Sequence, residues 1–315
     1  MLENETKQPD TPIDFFPRRQ ENPILKWIKR IFTPLAVGFF VYFGWQTRDI
    51  LATVFANAQF NYLILAILVN MTAHFIAPAS AIMVLKTCGS SISYQFAFKV
   101  HVDILPARYL PGGIWHMVGR TVIFYEHGIK PPYLTAFVLM EYLIAVLMAF
   151  VIGGIIVWYY RGTVDMWGKI AALSTISSTL VLVILPTLVN RYILKSVSEV
   201  SYHFYIQCIG IYVFSWFVLS LSFICYLLAF SLVLGNISLL EVGGTYLFSW
   251  AIGFISIFAP QGIGIFEVVA GHLLTVPILL GSLAVLIAGF RVVSLIADVL
   301  LWGITRLIWK QKYSV

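Results

Sequence analysis

Apolar runs long enough to cross a bilayer recur along the whole sequence of 315 residues. A helix needs about 20 residues to traverse the hydrocarbon core, and such runs fall at roughly 31–47, 61–85, 134–160, 170–189, 209–234 and 281–308. In hydrocarbon every backbone polar group must be satisfied within the chain, which restricts these runs to helices. Only 11% of residues are charged and 60% are hydrophobic, against about 25% charged in soluble domains. The sequence therefore specifies an all-α integral membrane protein, a polytopic helical bundle with no soluble stretch of domain size.

Two further regions, 94–128 and 244–276, are apolar but broken in the middle by "LPGG" and "APQGIG". Their halves (94–105, 112–128, 244–259 and 263–276) are mostly shorter than a span requires. Each region reads as a re-entrant helical hairpin whose tip reaches into the membrane, although a single Pro-Gly break also suits a simple kink. Irregular backbone at membrane depth survives only where it is buried in protein or lines a watery cavity.

Charge orients the bundle. Six full spans and two re-entrant hairpins leave both termini on one side. On that side fall Lys7, Arg18, Arg19, Lys26, Lys29, Arg30, Lys86, Lys130, Arg191, Lys195, Arg306, Lys310 and Lys312. The other side holds Arg48, Arg161 and Lys169. The positive-inside rule puts both termini in the cytoplasm, as expected in the inner membrane of a bacterium. Two complete crossings per broken region would give the same sidedness. The net charge of +6 is thus juxtamembrane charge and not a nucleic-acid footprint. Residues 1–23 are polar and carry Pro9, Pro12, Pro17 and Pro23, which suits a disordered tail and not a cleavable leader. "PILKWIKRIF" then interleaves Lys26, Lys29 and Arg30 with apolar residues, the pattern of an interfacial helix, so 1–30 forms a leading segment. Cys88, Cys208 and Cys225 lack the spacing of a metal site or a disulfide framework.

The remaining sequence divides in two. Pro111 and Pro260 lie 149 residues apart, and the same offset carries 61–85 onto 210–234 and 134–160 onto 283–309. Residues 31–160 and 161–315 then each read span, span, broken hairpin, span. Three spans reverse direction, so the second half is an inverted repeat of the first. Around the breaks only the proline, Gly113/Gly262 and Ile114/Ile263 recur. Inverted repeats with broken helices near the midplane are a transporter signature.

Chemistry concentrates at the breaks. "YLPGG" ends one half-helix and lets "IWHMVGR" begin another, whose N-terminus offers free N–H groups and partial positive charge to an anion such as phosphate. Arg108 and Arg120 flank Pro111, Gly112 and Gly113, and His116 follows them. At the second break Gly262 and Gly264 permit close approach after Pro260, with Glu267 about one turn further on. An ionisable residue within a span costs ~2.5–3.5 kcal/mol on insertion scales and faces an interior or an aqueous path. Glu267, Arg291 and Asp298 are the deepest by sequence, with Glu141 and Asp103 less so. They suit coupling sites or structural ion pairs, Glu267 with Arg291 for example. Arg291 and Asp298, seven apart, share one helix face. His74 and His116 taken singly read more readily as packing residues than as ligands, though His116 belongs with the first break. Trp115 reads as packing. No His, Asp or Glu cluster has metal spacing, so neither metal nor cofactor is expected.

At these residues the chain resembles the lysylphosphatidylglycerol synthase transmembrane, or flippase-like, family of integral membrane proteins. The resemblance rests on "LPGGIWHMVGR", "APQGIGIFE" and "GFRVV" in the last span, and covers the chain from about residue 30. It carries Pro260, Gly262, Gly264 and Glu267 over as motif residues, together with Pro111, Arg120 and Arg291. Where the family often has Gly-Glu, this sequence has Trp115-His116, so that glutamate's role does not carry over and the substrate is left open. Aminoacyl-lipid synthesis belongs to a soluble domain after the membrane part, for which no room is expected here. The resemblance implies lipid handling and not synthesis.

The expectation is a non-enzymatic protein that binds an anionic lipid or polyprenyl-phosphate headgroup and translocates it across the cytoplasmic membrane, with Glu267 as a carrier of a coupling proton. The rivals are an ion-coupled small-solute transporter, an intramembrane enzyme on lipid-linked groups, and a membrane scaffold without transport. Against the enzyme, no serine–lysine, paired-aspartate or HExxH arrangement is apparent. The partner expected is membrane lipid and not nucleic acid, and homo-oligomerisation stays open.

Overall fold

The computed structural model describes residues 48–109, 115–195, 197–230, 237–256, 259, 262–274, 276 and 279–313, with Val41, Tyr42 and Trp45. The expected tail and interfacial helix (1–30), most of the first expected span (31–47), and Pro111, Gly112, Gly113 and Pro260 lie outside the described residues.

Five helices are long and apolar enough to cross a membrane: Phe60–Thr87, Pro131–Arg161, Met166–Leu194, Tyr202–Leu228 and Leu280–Ile308. They coincide with five of the six expected spans. In chain order the described helices are α1 (Arg48–Ala56), α2 (Phe60–Thr87), α3 (Tyr94–Asp103), α4 (Trp115–Glu126), α5 (Pro131–Arg161), α6 (Met166–Val189), α7 (Tyr202–Leu228), α8 (Leu239–Ile255), α9 (Ile265–Leu273) and α10 (Leu280–Tyr313). A 3₁₀ turn, Leu105–Tyr109, follows α3. A π-helical turn, Asn190–Leu194, extends α6. The 28 residues of α2 rise about 42 Å, more than the ~30 Å of a hydrocarbon core. The 10, 12 and 9 residues of α3, α4 and α9 rise only about 13–18 Å.

Buried polar contacts align the bundle. α2 and α7 run antiparallel. At one end the Gln59 N–H donates to the Ala229 carbonyl (2.9 Å), and at the other the Ser201 N–H donates to the Thr87 carbonyl (2.9 Å). Between them Asn70 donates to Ser222 Oγ (3.3 Å), which donates to the Ala66 carbonyl (2.8 Å). With no hydrophobic driving force between helices in lipid, such bonds and close small-residue packing hold them together. Gly153 on α5 shows the second device. A Cβ there would lie 2.6 Å from the Phe248 backbone nitrogen on α8, and one on Gly154 would lie 2.3 Å from Thr175 Oγ1 on α6. α5 therefore packs between α6 and α8 at a distance that larger residues would not allow.

Both broken regions close on themselves. Tyr160 at the end of α5 donates to Ser238, the residue before α8 (2.8 Å), and neighbouring Arg161 donates to the carbonyls of His272 and Leu273 at the end of α9 (2.8 and 2.6 Å). The start of α8 and the end of α9 thus stand at the same end of α5. In the first region Phe96 of α3 stacks on His127, just past α4, with ring centroids 3.9 Å apart.

The outer surface is apolar. Leu173, Leu180 and Val183 on α6, Ile206 and Phe217 on α7, and Val292 and Val299 on α10 are all more than half exposed. An apolar exterior of this extent requires lipid or another apolar partner, while Arg120, Glu267 and Asp298 are buried.

Candidate functional site

Three arginines and three carboxylates meet in pairs between the broken regions and the long helices.

The first pair joins α4 to α5. The Arg120 guanidinium forms an ion pair with Glu141, and its Cζ lies 5.1 Å from the centroid of the Phe137 ring, one turn earlier on α5. Tyr212 of α7 donates to the Glu141 backbone carbonyl (3.1 Å), and Tyr142 shares a 2.8 Å hydrogen bond with His116 Nε2. Arg120 is 7% exposed. Its Nε and the Nδ1 of His116 are buried and have no hydrogen-bond partner among the described residues.

The second pair joins α9 to α10. Arg291 Nε donates to Glu267 Oε1 at 2.6 Å, and the Gly264 N–H donates to Glu267 Oε2 at 2.7 Å. Glu267 is fully buried, so its carboxylate is both counter-ion to Arg291 and cap of its own helix. The α9 N-terminus is met in this way by the chain's own carboxylate. Gly264 (φ +86°) and Gly262 (φ +67°) shape the approach. A Cβ on Gly262 would lie 2.8 Å from the Gly253 backbone, which accounts for glycine there.

The third is a network around Asp298 on α10. Arg108 Nη1 donates to Oδ2 at 3.1 Å and the Tyr109 hydroxyl donates to Oδ2 at 2.8 Å. His74 Nε2 from α2 approaches Oδ1 to 2.8 Å, a close charge contact without hydrogen-bond alignment. His74 Nδ1 lies 3.1 Å from His101 Nε2 on α3. Nearby, Arg306 pairs with Asp103 at 3.0 Å. Arg108 also acts electrostatically on His116, Tyr142 and Tyr246, as Arg120 does on His101 and Arg291 on Tyr246. The cations of the first broken region and the helices of the second thus share one interior.

The described candidates from the sequence fall into this arrangement. Arg291 is paired with Glu267, Arg120 with Glu141, and Arg108 with Asp298. One face of α10 carries Arg291 to the second break and Asp298 to the first. Sequence reasoning missed His101, Tyr109 and Tyr142; His74, read more readily as a packing residue than as a ligand, is buried between Asp298 and His101. No spacing signals it, because the partners come from α2, α3 and α10. Among the described residues no three His, Cys, Asp or Glu side chains are grouped to hold a metal ion.

Fold and site together define an all-α, multi-pass membrane protein with an ion-paired interior. No protein-family model matches the chain, and no curated protein does either.

Proposed function

We propose that this chain binds an anionic lipid or polyprenyl-phosphate headgroup and moves it across the cytoplasmic membrane of a bacterium, without enzymatic chemistry. The observation that carries the reading is the trio Arg108, Arg120 and Arg291, paired with Asp298, Glu141 and Glu267 on or against the two broken regions of an apolar-surfaced bundle. A guanidinium fork matches phosphate through paired hydrogen bonds. The unpartnered Arg120 Nε and His116 Nδ1 add two buried polar atoms able to meet a ligand.

Alternation of two inverted halves is the motion we propose, with 94–128 and 244–276 as re-entrant hairpins entering from opposite faces and both termini cytoplasmic. Its support is a set of matched contacts. α4 lies antiparallel on α5 through Arg120–Glu141, and α9 lies on α10 through Glu267–Arg291, with the charges exchanged. Likewise α3 with its 3₁₀ turn packs on α10, and α8 on α5, while α2 packs on α7. The likeness of "LPGGIWHMVGR" and "APQGIGIFE" to flippase-like proteins points to the same substrate class.

The test is translocation of a labelled anionic phospholipid by the full chain in liposomes. Arg120→Lys and Arg291→Lys keep the charge and lose the fork. Each should reduce transport at least tenfold, and the exposed Lys169→Ala should leave it unchanged. Stable, fully active arginine variants would sink the headgroup site. Transport of a soluble anion but of no lipid would replace it with the small-solute reading.

A further inference from the structure

Among the described residues the charges of this site pair one for one: Arg108, Arg120 and Arg291 with Asp298, Glu141 and Glu267. An anion entering this site therefore leaves one uncompensated negative charge in a low-dielectric setting, which is costly unless a positive charge arrives with it. Arginine cannot supply it, being always protonated, but histidine can.

We propose that the His74–His101 pair is a proton-binding site, and that one proton taken up there accompanies each anionic headgroup. This rests on the headgroup reading above and assigns its energy coupling to the histidines instead of Glu267.

Two close contacts of His74 set where that proton goes. His74 Nε2 stands 2.8 Å from Asp298 Oδ1, so this nitrogen carries hydrogen, since a bare lone pair would be repelled by the carboxylate. In neutral His74 the Nδ1 atom is then an acceptor, and His101 Nε2, 3.1 Å away, is its donor. A proton arriving at His101 Nδ1 releases the Nε2 proton to His74 Nδ1. His101 ends neutral, and His74 becomes an imidazolium facing Asp298. One proton enters, one charge is gained, and no other bond changes.

The consequence falls on Arg108. In the neutral state Asp298 is shared by Arg108, at 3.1 Å, and the Tyr109 hydroxyl, at 2.8 Å. A charged His74 competes for the same carboxylate. It weakens the hold of Asp298 on Arg108, whose side chain is 46% exposed against 3% for Asp298. The cation so loosened is the one that stands beside the first break. The charges acting on His101 are those of His74, Arg108, Arg120 and Asp298, and the Asp103–Arg306 pair closes the α3–α10 side. An anion bound among Arg108 and Arg120 offsets their repulsion of a charged His74, so proton and anion favour each other's binding by the same factor.

Glu267 is less suited to the task. Both of its oxygens are engaged, by Arg291 Nε and the Gly264 N–H, and protonating it would break an ion pair and a helix cap together.

The experiment is calorimetric titration of short-chain phosphatidylglycerol into the detergent-purified full chain at pH 5.5 and pH 7.5. Buffers of different ionisation enthalpy count the protons, and phosphatidylcholine is the control. A phosphodiester is chosen because a phosphomonoester itself titrates near pH 6. The expected result is uptake of one proton per lipid and about tenfold or more tighter binding at pH 5.5, as reciprocal linkage of lipid and proton binding requires. His101→Gln keeps a donor toward His74 but cannot titrate, and should bind with a flat pH profile, as should His74→Gln. Binding by the unaltered protein without proton uptake overturns the proposal and leaves the headgroup site standing, and it needs no variant to fold. Proton uptake that persists in both histidine variants and disappears in Glu267→Gln overturns it in favour of Glu267. Failure of phosphatidylglycerol to bind at either pH removes the headgroup reading, and the proton coupling with it.

Discussion

Arg120 on the short helix α4 is ion-paired with Glu141 on α5. The Glu267–Arg291 bridge between α9 and α10 repeats this arrangement with the signs exchanged. Each bridge locks the second half of a broken region to the long helix that follows it. The half-helices are too short to be held by propensity alone, since isolated helices below about 12–15 residues are marginal.

The Arg120–Glu141 bridge should therefore be structural as well as functional. Removing one partner strands a buried charge, at about 3–5 kcal/mol, whereas replacing both by apolar residues of similar volume is much milder. Glu141→Ala should lower the thermal stability of the detergent-solubilised protein strongly, and Arg120→Met with Glu141→Met should recover most of it. A double variant as unstable as the single would contradict the pairing.

Glu267→Gln should be destabilising for a second reason. The amide oxygen can still accept the Gly264 N–H, but the charge opposite Arg291 is gone, so a loss of about 3–5 kcal/mol is expected. Unchanged stability with selective loss of proton-driven lipid movement would mean that Glu267 is the coupling group.

Glycine substitutions separate strain from packing. Gly262→Ala meets both a left-handed φ of +67° and the Gly253 backbone at 2.8 Å, and should cost about 2 kcal/mol or more. Gly128→Ala meets the positive φ alone, with nothing within 4 Å, and should cost about 1–2 kcal/mol. Gly210→Ala, in open space on α7, should be neutral or stabilising by up to ~1 kcal/mol. Thermal melts in one detergent rank the three, and Gly262→Ala behaving like Gly210→Ala would refute the close approach.

Topology is testable by labelling in intact cells. Val164, 91% exposed between α5 and α6, should react as cysteine with an impermeant reagent, and cysteine at the exposed Glu199 should not. The native Cys88, Cys208 and Cys225 are buried and contribute little background. The reverse labelling pattern would invert the proposed orientation.

The sequence by itself determined the class and the punctuation of this protein. Hydropathy over about 20 residues sets where helices cross, because lipid leaves no other way to satisfy a backbone. "LPGG" and "APQGIG" mark where α3 gives way to α4 and α8 to α9, and the glycines at 262 and 264 do take left-handed conformations. The Glu267–Arg291 pairing was legible too, since two deep opposite charges in adjacent segments have few other partners. Tertiary structure alone decided that Arg120 answers Glu141 and that Arg108, Tyr109, His74 and His101 converge on Asp298. Those side chains come from segments up to 224 residues apart, the separation of His74 from Asp298. Helical periodicity tells which face a residue occupies but not which distant helix that face meets. In a bundle that exposes large apolar side chains as well as burying them, that choice is made by close packing at Gly153 and Gly154 and by pairing of buried charges, both of which exist only once the helices are assembled.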